Sequence, residues 1–151
     1  MICPLIFLTS CTGNIKGREL CVKRPVGFVS VETDGTQYKA KIEYTDTGVM
    51  TVSLVAPIKG ITVIADYNGY KLKYGDMQLD YSPEQAEYFQ PFFGLYDLLK
   101  IVCGTEPKSI REEGECFTLS FDSGLNDLNA VIDAEGTLTR LEADGLVFSF
   151  A

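Results

Sequence analysis

The feature that most constrains the fold is a strict alternation of apolar and polar residues between Tyr38 and Tyr44. The apolar members are Tyr38, Ala40, Ile42 and Tyr44, and the polar members between them are Lys39, Lys41 and Glu43. Successive side chains of a β-strand point to opposite faces of its sheet. The segment therefore predicts a strand whose sheet covers an apolar core with one face and meets water with the other.

The same alternation recurs along most of the chain, and glycine-containing turns separate the alternating segments. Asp34-Gly35 and Asn68-Gly69 are residue pairs that two-residue hairpins prefer. The predicted strands cover residues 25–33, 38–44, 49–56, 61–67, 70–74, 77–81, 116–121, 128–132, 138–141 and 146–150. Short strands joined by tight turns indicate an antiparallel sheet.

One helical region interrupts the strands. The segment 82–85, Ser-Pro-Glu-Gln, combines a capping residue, a proline suited to the first helical position and a residue that completes a capping box. Aromatic and aliphatic residues then recur at helical spacing up to Gly104, a residue type that commonly ends helices. Because Pro91 lacks a backbone donor, we expect a short turn over residues 83–89 and the main helix over about 91–103.

These elements predict a mainly β (α+β) protein with one antiparallel sheet of about nine strands that is apolar on a single face. That face must be covered, and the chain offers one substantial helix to cover it. A sheet of this width tends to curl. We therefore expect a curved, unclosed half-barrel whose concave face is covered by one main aromatic helix.

The N-terminal residues indicate a targeting segment. An apolar run over residues 2–8 precedes two small residues and a cysteine, which is the order found in secretory signals. The segment Leu8-Thr9-Ser10-Cys11 resembles the bacterial lipobox, in which the cysteine becomes the lipid-modified first residue of the mature protein. The alternative interpretation is an N-terminal strand that ends in a cysteine.

The lipobox resemblance implies a division of the chain into three parts. Residues 1–10 would be the tail of a signal peptide, residues 11–24 a lipidated tether, and residues 25–151 a single β domain. The location that this implies is the extracytoplasmic face of the cell membrane, with the lipid on Cys11 as the anchor.

Composition and spacing argue against several classes of function. The formal net charge of −8 disfavours nucleic acid, whose binding depends on cationic contacts to phosphate. The chain has no histidine, which removes Ser-His-Asp and Cys-His catalysis and His-ligated zinc. Asp122, Asn126 and Asp127 lack the spacing of a calcium loop, and the glutamates over residues 112–115 fit a solvated turn. We expect no enzyme, no metal and no cofactor.

Three stretches resemble the extracytoplasmic lipoprotein-carrier (LolA/LolB-like) fold family. They are the strand Tyr38–Tyr44 with the two strands after it, the hairpin YNGYKLKYGDMQL at residues 67–79, and the C-terminal strands 138–141 and 145–150. Members of this family have a curved, unclosed sheet plugged by helices. The resemblance implies that an acyl chain, another hydrophobic ligand or a lipoprotein binds in the concave face.

Eight residues are candidates for the wall of an apolar cavity between sheet and helix. They are Tyr38, Ile42, Tyr44 and Leu54 on strands, and Phe89, Phe92, Phe93 and Tyr96 in the helical region. Ligand pockets are mostly apolar, but ordinary core packing explains the same pattern. Two hypotheses therefore stay open: a non-catalytic, monomeric carrier of an apolar ligand, and an anchored structural or protein-interaction module with a filled core.

Two cysteines form a candidate disulfide. Cys103 ends the predicted helix and Cys116 opens a strand, and an exported location would permit a bond between them. The alternative is a pair of separate buried thiols that act as small apolar groups.

Overall fold

The computed structural model of the protein describes residues 11–15, 18–81, 92, 94–122 and 127–151. For residues 11–20 the description covers the backbone alone. The predicted signal segment, the predicted capping motif at residues 82–85 and the candidate cavity residues Phe89 and Phe93 lie outside the described residues.

Thirteen strands and one helix are present in the described ranges. The strands are β1 (Cys11–Ile15), β2 (Arg18–Cys21), β3 (Gly27–Thr33), β4 (Thr36–Tyr44), β5 (Met50–Ala56), β6 (Ile61–Asp66), β7 (Gly69–Tyr74), β8 (Met77–Tyr81), β9 (Ser109–Glu113), β10 (Cys116–Phe121), β11 (Leu128–Asp133), β12 (Leu138–Ala143) and β13 (Leu146–Phe150). The helix, α1, is Leu95–Gly104.

Strands β1 and β2 pair with each other, and the other eleven form one antiparallel sheet. Its order is β8-β7-β6-β5-β4-β3-β13-β12-β11-β10-β9. Among the described strands, β8 and β9 each have a single neighbour in this sheet, so the sheet is not closed. The prediction of a mainly β protein with an unclosed antiparallel sheet is confirmed.

The predicted strand number of about nine is wrong, because the sheet has eleven strands. Strand β9 is the clearest omission. Its sequence, Ser-Ile-Arg-Glu-Glu, contains one apolar residue and therefore shows no alternation. Its glutamates indicate a solvated turn when they are considered alone, whereas in the structure they belong to a strand that pairs with β10.

The chain divides into two compact units. The first, termed the β3–β8 unit, comprises residues 26–97 and 146–151 and contains strands β3 to β8 and β13. The second, termed the β9–β12 unit, comprises the described residues between 11 and 25 and between 98 and 145.

Alternation produces the core of the β3–β8 unit. In β4, Ala40 and Ile42 are buried, while the lysines and the glutamate between and beside them are exposed. Met50 on β5 and Phe148 on β13 are further large side chains of this unit that are fully buried. The predicted half-buried character of the 38–44 strand is confirmed.

The hairpin between β6 and β7 lies one residue earlier than predicted. Its turn residues are Tyr67 and Asn68, and Gly69 begins β7 opposite Asp66. Asp66 Oδ1 accepts a hydrogen bond from the Asn68 N–H at 2.7 Å. A carboxylate that bonds the backbone two residues ahead stabilises a turn at its own position, and this bond explains the shift.

The helix begins later than predicted, at Leu95, and its end at Gly104 is confirmed. Leu95, Leu99 and Val102 are buried, and their spacing of four and three residues places them on one helical face. At the C-terminus, the Thr105 N–H and hydroxyl both donate to the Ile101 carbonyl, at 3.0 and 2.7 Å. These bonds satisfy a carbonyl group that the end of a helix leaves without an intrahelical donor.

The segment before β3 belongs to the β9–β12 unit. Val22 is fully buried, and the Lys23 N–H donates to the Gly136 carbonyl at 2.9 Å. Strands β1 and β2 form a hairpin in which Cys11 lies opposite Cys21. Val22 therefore belongs to the buried core of this unit, although it lies before residue 25 in the chain.

Candidate functional site

Cross-strand register places an apolar face across strands β4 to β8. Directly opposed residues of neighbouring strands lie on the same face of a sheet. One row of opposed residues runs Ile42, Val52, Val63, Leu72, Leu79, and a second runs Tyr44, Met50, Ala65, Tyr70, Tyr81. In a third row, Tyr74 lies between Ile61 on β6 and Met77 on β8 and is directly opposite both. The face belongs entirely to the β3–β8 unit.

Burial decreases along this face toward the edge strand β8. In the first row, Ile42, Val52 and Val63 are buried, Leu72 is half-buried and Leu79 is 52% exposed. Since all five residues are apolar, the gradient arises from what covers them rather than from their chemistry.

The exposed end of the face is termed the apolar strip. It consists of Ile61, Leu72, Tyr74, Met77 and Leu79. Tyr74 is 52% and Met77 64% exposed, and Ile61 is half-buried. Contiguous exposed apolar side chains commonly mark a binding surface, so the strip is the candidate functional site of the described structure.

A hydrogen bond between β7 and α1 joins the second row of this face to the helix. The Tyr70 hydroxyl donates to Asp97 Oδ2 at 3.0 Å. Burial, together with the negative charge of Asp97, raises the pKa of Tyr70 far above its usual value of 10. Asp97 lies in the first turn of α1, where the helix dipole favours a negative charge. The phenol therefore stays protonated and fixes the start of the helix beside this row.

The structure separates the predicted cavity residues into two groups. Ile42 and Phe92 are buried, and the Phe92 and Phe148 rings pack with centroids 6.5 Å apart at 51°. These two residues are part of the buried core. The half-buried residues are Tyr38, Tyr44, Leu54 and Tyr96.

Sequence reasoning did not select the apolar strip. Alternation assigns Leu72 and Leu79 to the apolar face, but it does not show which part of that face is covered. A signal was nevertheless available, because an apolar alternation that continues into the last strand of a block indicates an apolar sheet edge.

Each of the two units has an open hollow of about 520 Å³. In the β3–β8 unit, the hollow is lined on β6, β7 and β8 by residues that include Asp66, Lys71 and Asp80. None of the six predicted cavity residues that the structure describes appears in the lining of either hollow.

The hollow of the β9–β12 unit contains two ion pairs. Arg111 and Glu113 form an ion pair at 2.7 Å, and Arg140 pairs with Glu142. The Ser120 hydroxyl donates to Asn129 Oδ1 at 2.7 Å. These polar groups bond one another across and along the strands.

The two cysteines of the candidate disulfide have free thiols in the structure. Burial raises the pKa of the Cys103 thiol from 9.0 to about 12, so this group behaves as a small apolar side chain. Cys116 is half-buried and opens β10 opposite Asp133. The disulfide between Cys103 and Cys116 stays a prediction.

The described residues contain no group of three or more cysteine, aspartate and glutamate side chains placed to hold a metal ion. In the same part of the chain, no helix has the length and hydrophobicity that a bilayer span requires. No protein-family model matches the chain, and no curated protein sequence matches it significantly.

Proposed function

We propose that the protein is a non-catalytic binding module at the extracytoplasmic face of the membrane, anchored by a lipid on Cys11, which binds an acyl chain or another hydrophobic ligand. The observation that supports the proposal is the burial gradient that ends on the exposed side chains of Tyr74, Met77 and Leu79. The curved half-barrel with a helix on its concave face remains a prediction.

The strip offers a suitable surface for an acyl chain. Burial of a methylene group contributes about 0.8 kcal/mol, so several methylenes laid along the strip would give a useful affinity even after the cost of association. None of the five residues of the strip is charged. An uncharged acyl tail can therefore bind there without removing a charged side chain from water.

A titration of the full chain with a fluorescent fatty acid tests this function. We expect saturable binding that Tyr74→Ser weakens about fivefold, since a loss of about 1 kcal/mol corresponds to that factor. Tyr67→Ser is the matched control, because Tyr67 is a tyrosine of the same unit that is 83% exposed in the β6–β7 turn. Absence of saturable binding, or an equal effect of both substitutions, would contradict the proposal.

A second candidate function, a protein-interaction module with a filled core, is favoured by the burial of Ile42 and Phe92. Both residues occupy the core rather than an open wall. In this case native mass spectrometry of the membrane-extracted protein would show a mass without a co-purified lipid.

The anchor is tested separately from the ligand. Cys11→Ala should release the protein from the membrane fraction and remove the lipid from its mass. A Cys11→Ala chain that stays membrane-bound would exclude the lipid on this residue as the anchor.

A further inference from the structure

The two edges of the eleven-stranded sheet differ in their protection against further strand pairing. Edge strand β9 carries Arg111, Glu112 and Glu113, all exposed. Charged residues on an edge strand oppose pairing with another chain. Edge strand β8 has the sequence Met-Gln-Leu-Asp-Tyr, with one charged residue and with Met77 and Leu79 exposed. Of the two edge strands that the structure describes, β9 therefore carries more charge against pairing than β8.

Register identifies which backbone groups β8 presents at its open edge. Tyr74 and Met77 oppose each other across the two-residue turn Gly75-Asp76 and so form the hydrogen-bonded pair that closes the hairpin. Hydrogen-bonded and non-hydrogen-bonded pairs alternate along an antiparallel ladder. Leu79 therefore bonds toward β7, whereas the N–H and C=O groups of Gln78 and Asp80 point away from β7.

We propose that two copies of this chain associate by antiparallel pairing of their β8 strands about a two-fold axis at Leu79. In this register Leu79 lies opposite Leu79 of the second copy, and Gln78 lies opposite Asp80 of the second copy. The outward backbone groups of Gln78 and Asp80 then exchange hydrogen bonds in the ladder pattern. A two-fold contact of this kind is self-complementary and closes at two copies.

The side chains of β8 are complementary in this register. The Gln78 amide is a donor that matches the Asp80 carboxylate, and within one chain Gln78 Nε2 already approaches Asp80 Oδ1 at 3.4 Å. On the other face, Met77 lies opposite Tyr81, a sulfur–aromatic pairing. The equivalent pairing of β9 would place Arg111 opposite Arg111 of the second copy. Repulsion between these like charges disfavours pairing through β9 and leaves β8 as the edge that associates.

The pairing also extends the apolar strip. A two-fold axis perpendicular to the sheet keeps both apolar faces on the same side, so the strips of the two copies become adjacent at Leu79. The association does not depend on ligand binding, because it uses the backbone groups at the edge of β8.

Sedimentation velocity of the full chain, as a function of concentration, tests the proposal with charge variants. Leu79→Lys and Leu79→Glu each place like charges opposite each other, and each variant alone should sediment as a monomer, whereas the wild type forms a dimer. An equimolar mixture of the two variants should restore the dimer, because lysine then lies opposite glutamate. A misfolded variant would not be rescued by mixing, so the rescue separates charge repulsion from loss of structure.

Proline variants provide a matched pair at the two edges. Gln78→Pro removes an outward N–H without breaking the β7–β8 ladder and should abolish the dimer. Glu112→Pro makes the corresponding change on β9, where alternation from the Glu113–Cys116 pair also points the N–H outward, and should leave the dimer intact. A wild type that is monomeric at all concentrations, a dimer that is insensitive to Gln78→Pro, or a failed rescue would overturn the proposal.

Discussion

The Tyr70 hydroxyl and Asp97 Oδ2 lie 3.0 Å apart, and this hydrogen bond joins the middle of the apolar face to the first turn of the helix. Tyr70 is 3% exposed, whereas Asp97 is exposed to water. The tyrosine therefore contributes its ring to the core and its hydroxyl to a charged partner at the surface.

Tyr70→Phe should lower the free energy of unfolding by about 1 to 3 kcal/mol, because it removes a hydrogen bond to a charged group while it preserves the packing of the ring. Denaturant unfolding measures the change. Tyr67→Phe, in an exposed turn, is the control and should have no measurable effect. Equal stabilities of Tyr70→Phe and wild type would show that the bond contributes nothing.

The same bond predicts a dependence of stability on alkaline pH. The pKa of Tyr70 is raised in the folded protein above its usual value of 10. The unfolded state then loses the proton first, so the stabilisation is complete below pH 10 and decreases as the pH rises above it. Above this pH, we expect the Tm of the wild type to fall by more than the Tm of Tyr70→Phe. Parallel shifts in the two proteins would contradict the assignment to Tyr70.

Gly136→Ala should be strongly destabilising. A Cβ at this position would overlap the Cys21 carbonyl oxygen, and the residue has φ +85. Gly145 has a similar φ of +79 but nothing within 4 Å of the added Cβ. Gly145→Ala should therefore lower the free energy of unfolding by about 1 kcal/mol, because the only cost is that of holding an alanine at positive φ. Gly136→Ala should cost about 3 kcal/mol or more, since the backbone of residues 21–23 must also move.

Chemical denaturation of the two glycine variants measures the difference between them. Similar costs for Gly136→Ala and Gly145→Ala would mean that the turn between β11 and β12 does not pack on the segment before β3.

Thiol labelling should distinguish Cys103 from Cys116. The thiolate is the reactive form, and burial raises the pKa of Cys103 to about 12. Cys116 is only half-buried. In native protein we expect an alkylating reagent to modify Cys116 first, with Cys103 protected until denaturant is added. Peptide mass spectrometry locates the modified residue, and rapid labelling of Cys103 in native protein would contradict its burial.

Much of the fold could be predicted from the sequence, because period two is a direct consequence of strand geometry. Residues 38–44 show this most clearly, since the side chains that alternate in polarity also alternate in burial. Strand β9 could not be predicted in this way. An edge strand with Arg111, Glu112 and Glu113 owes its conformation to pairing with β10, and pairing leaves no periodic signal in the strand itself.

The candidate site was less predictable, because it depends on where burial stops. Ile42 and Leu79 are both apolar members of alternating strands, yet one is buried and the other exposed. The difference is a property of position in the sheet order. The local sequence identifies the face of the sheet to which a residue belongs. The position of its strand in the sheet order determines whether other residues bury that face.

The pairing of β3 with β13 has a consequence for the rate of folding. Val31 lies opposite Phe148, more than a hundred residues away along the chain, whereas hairpins such as β7–β8 join neighbours across two residues. Closing a long loop costs conformational entropy before the contacts that it brings together can stabilise the chain. Folding rates therefore fall as contacts become less local. The hairpins can therefore form early, while assembly of the central strands waits for an encounter between distant segments, and this slow step sets the time during which unpaired edges are exposed to other chains.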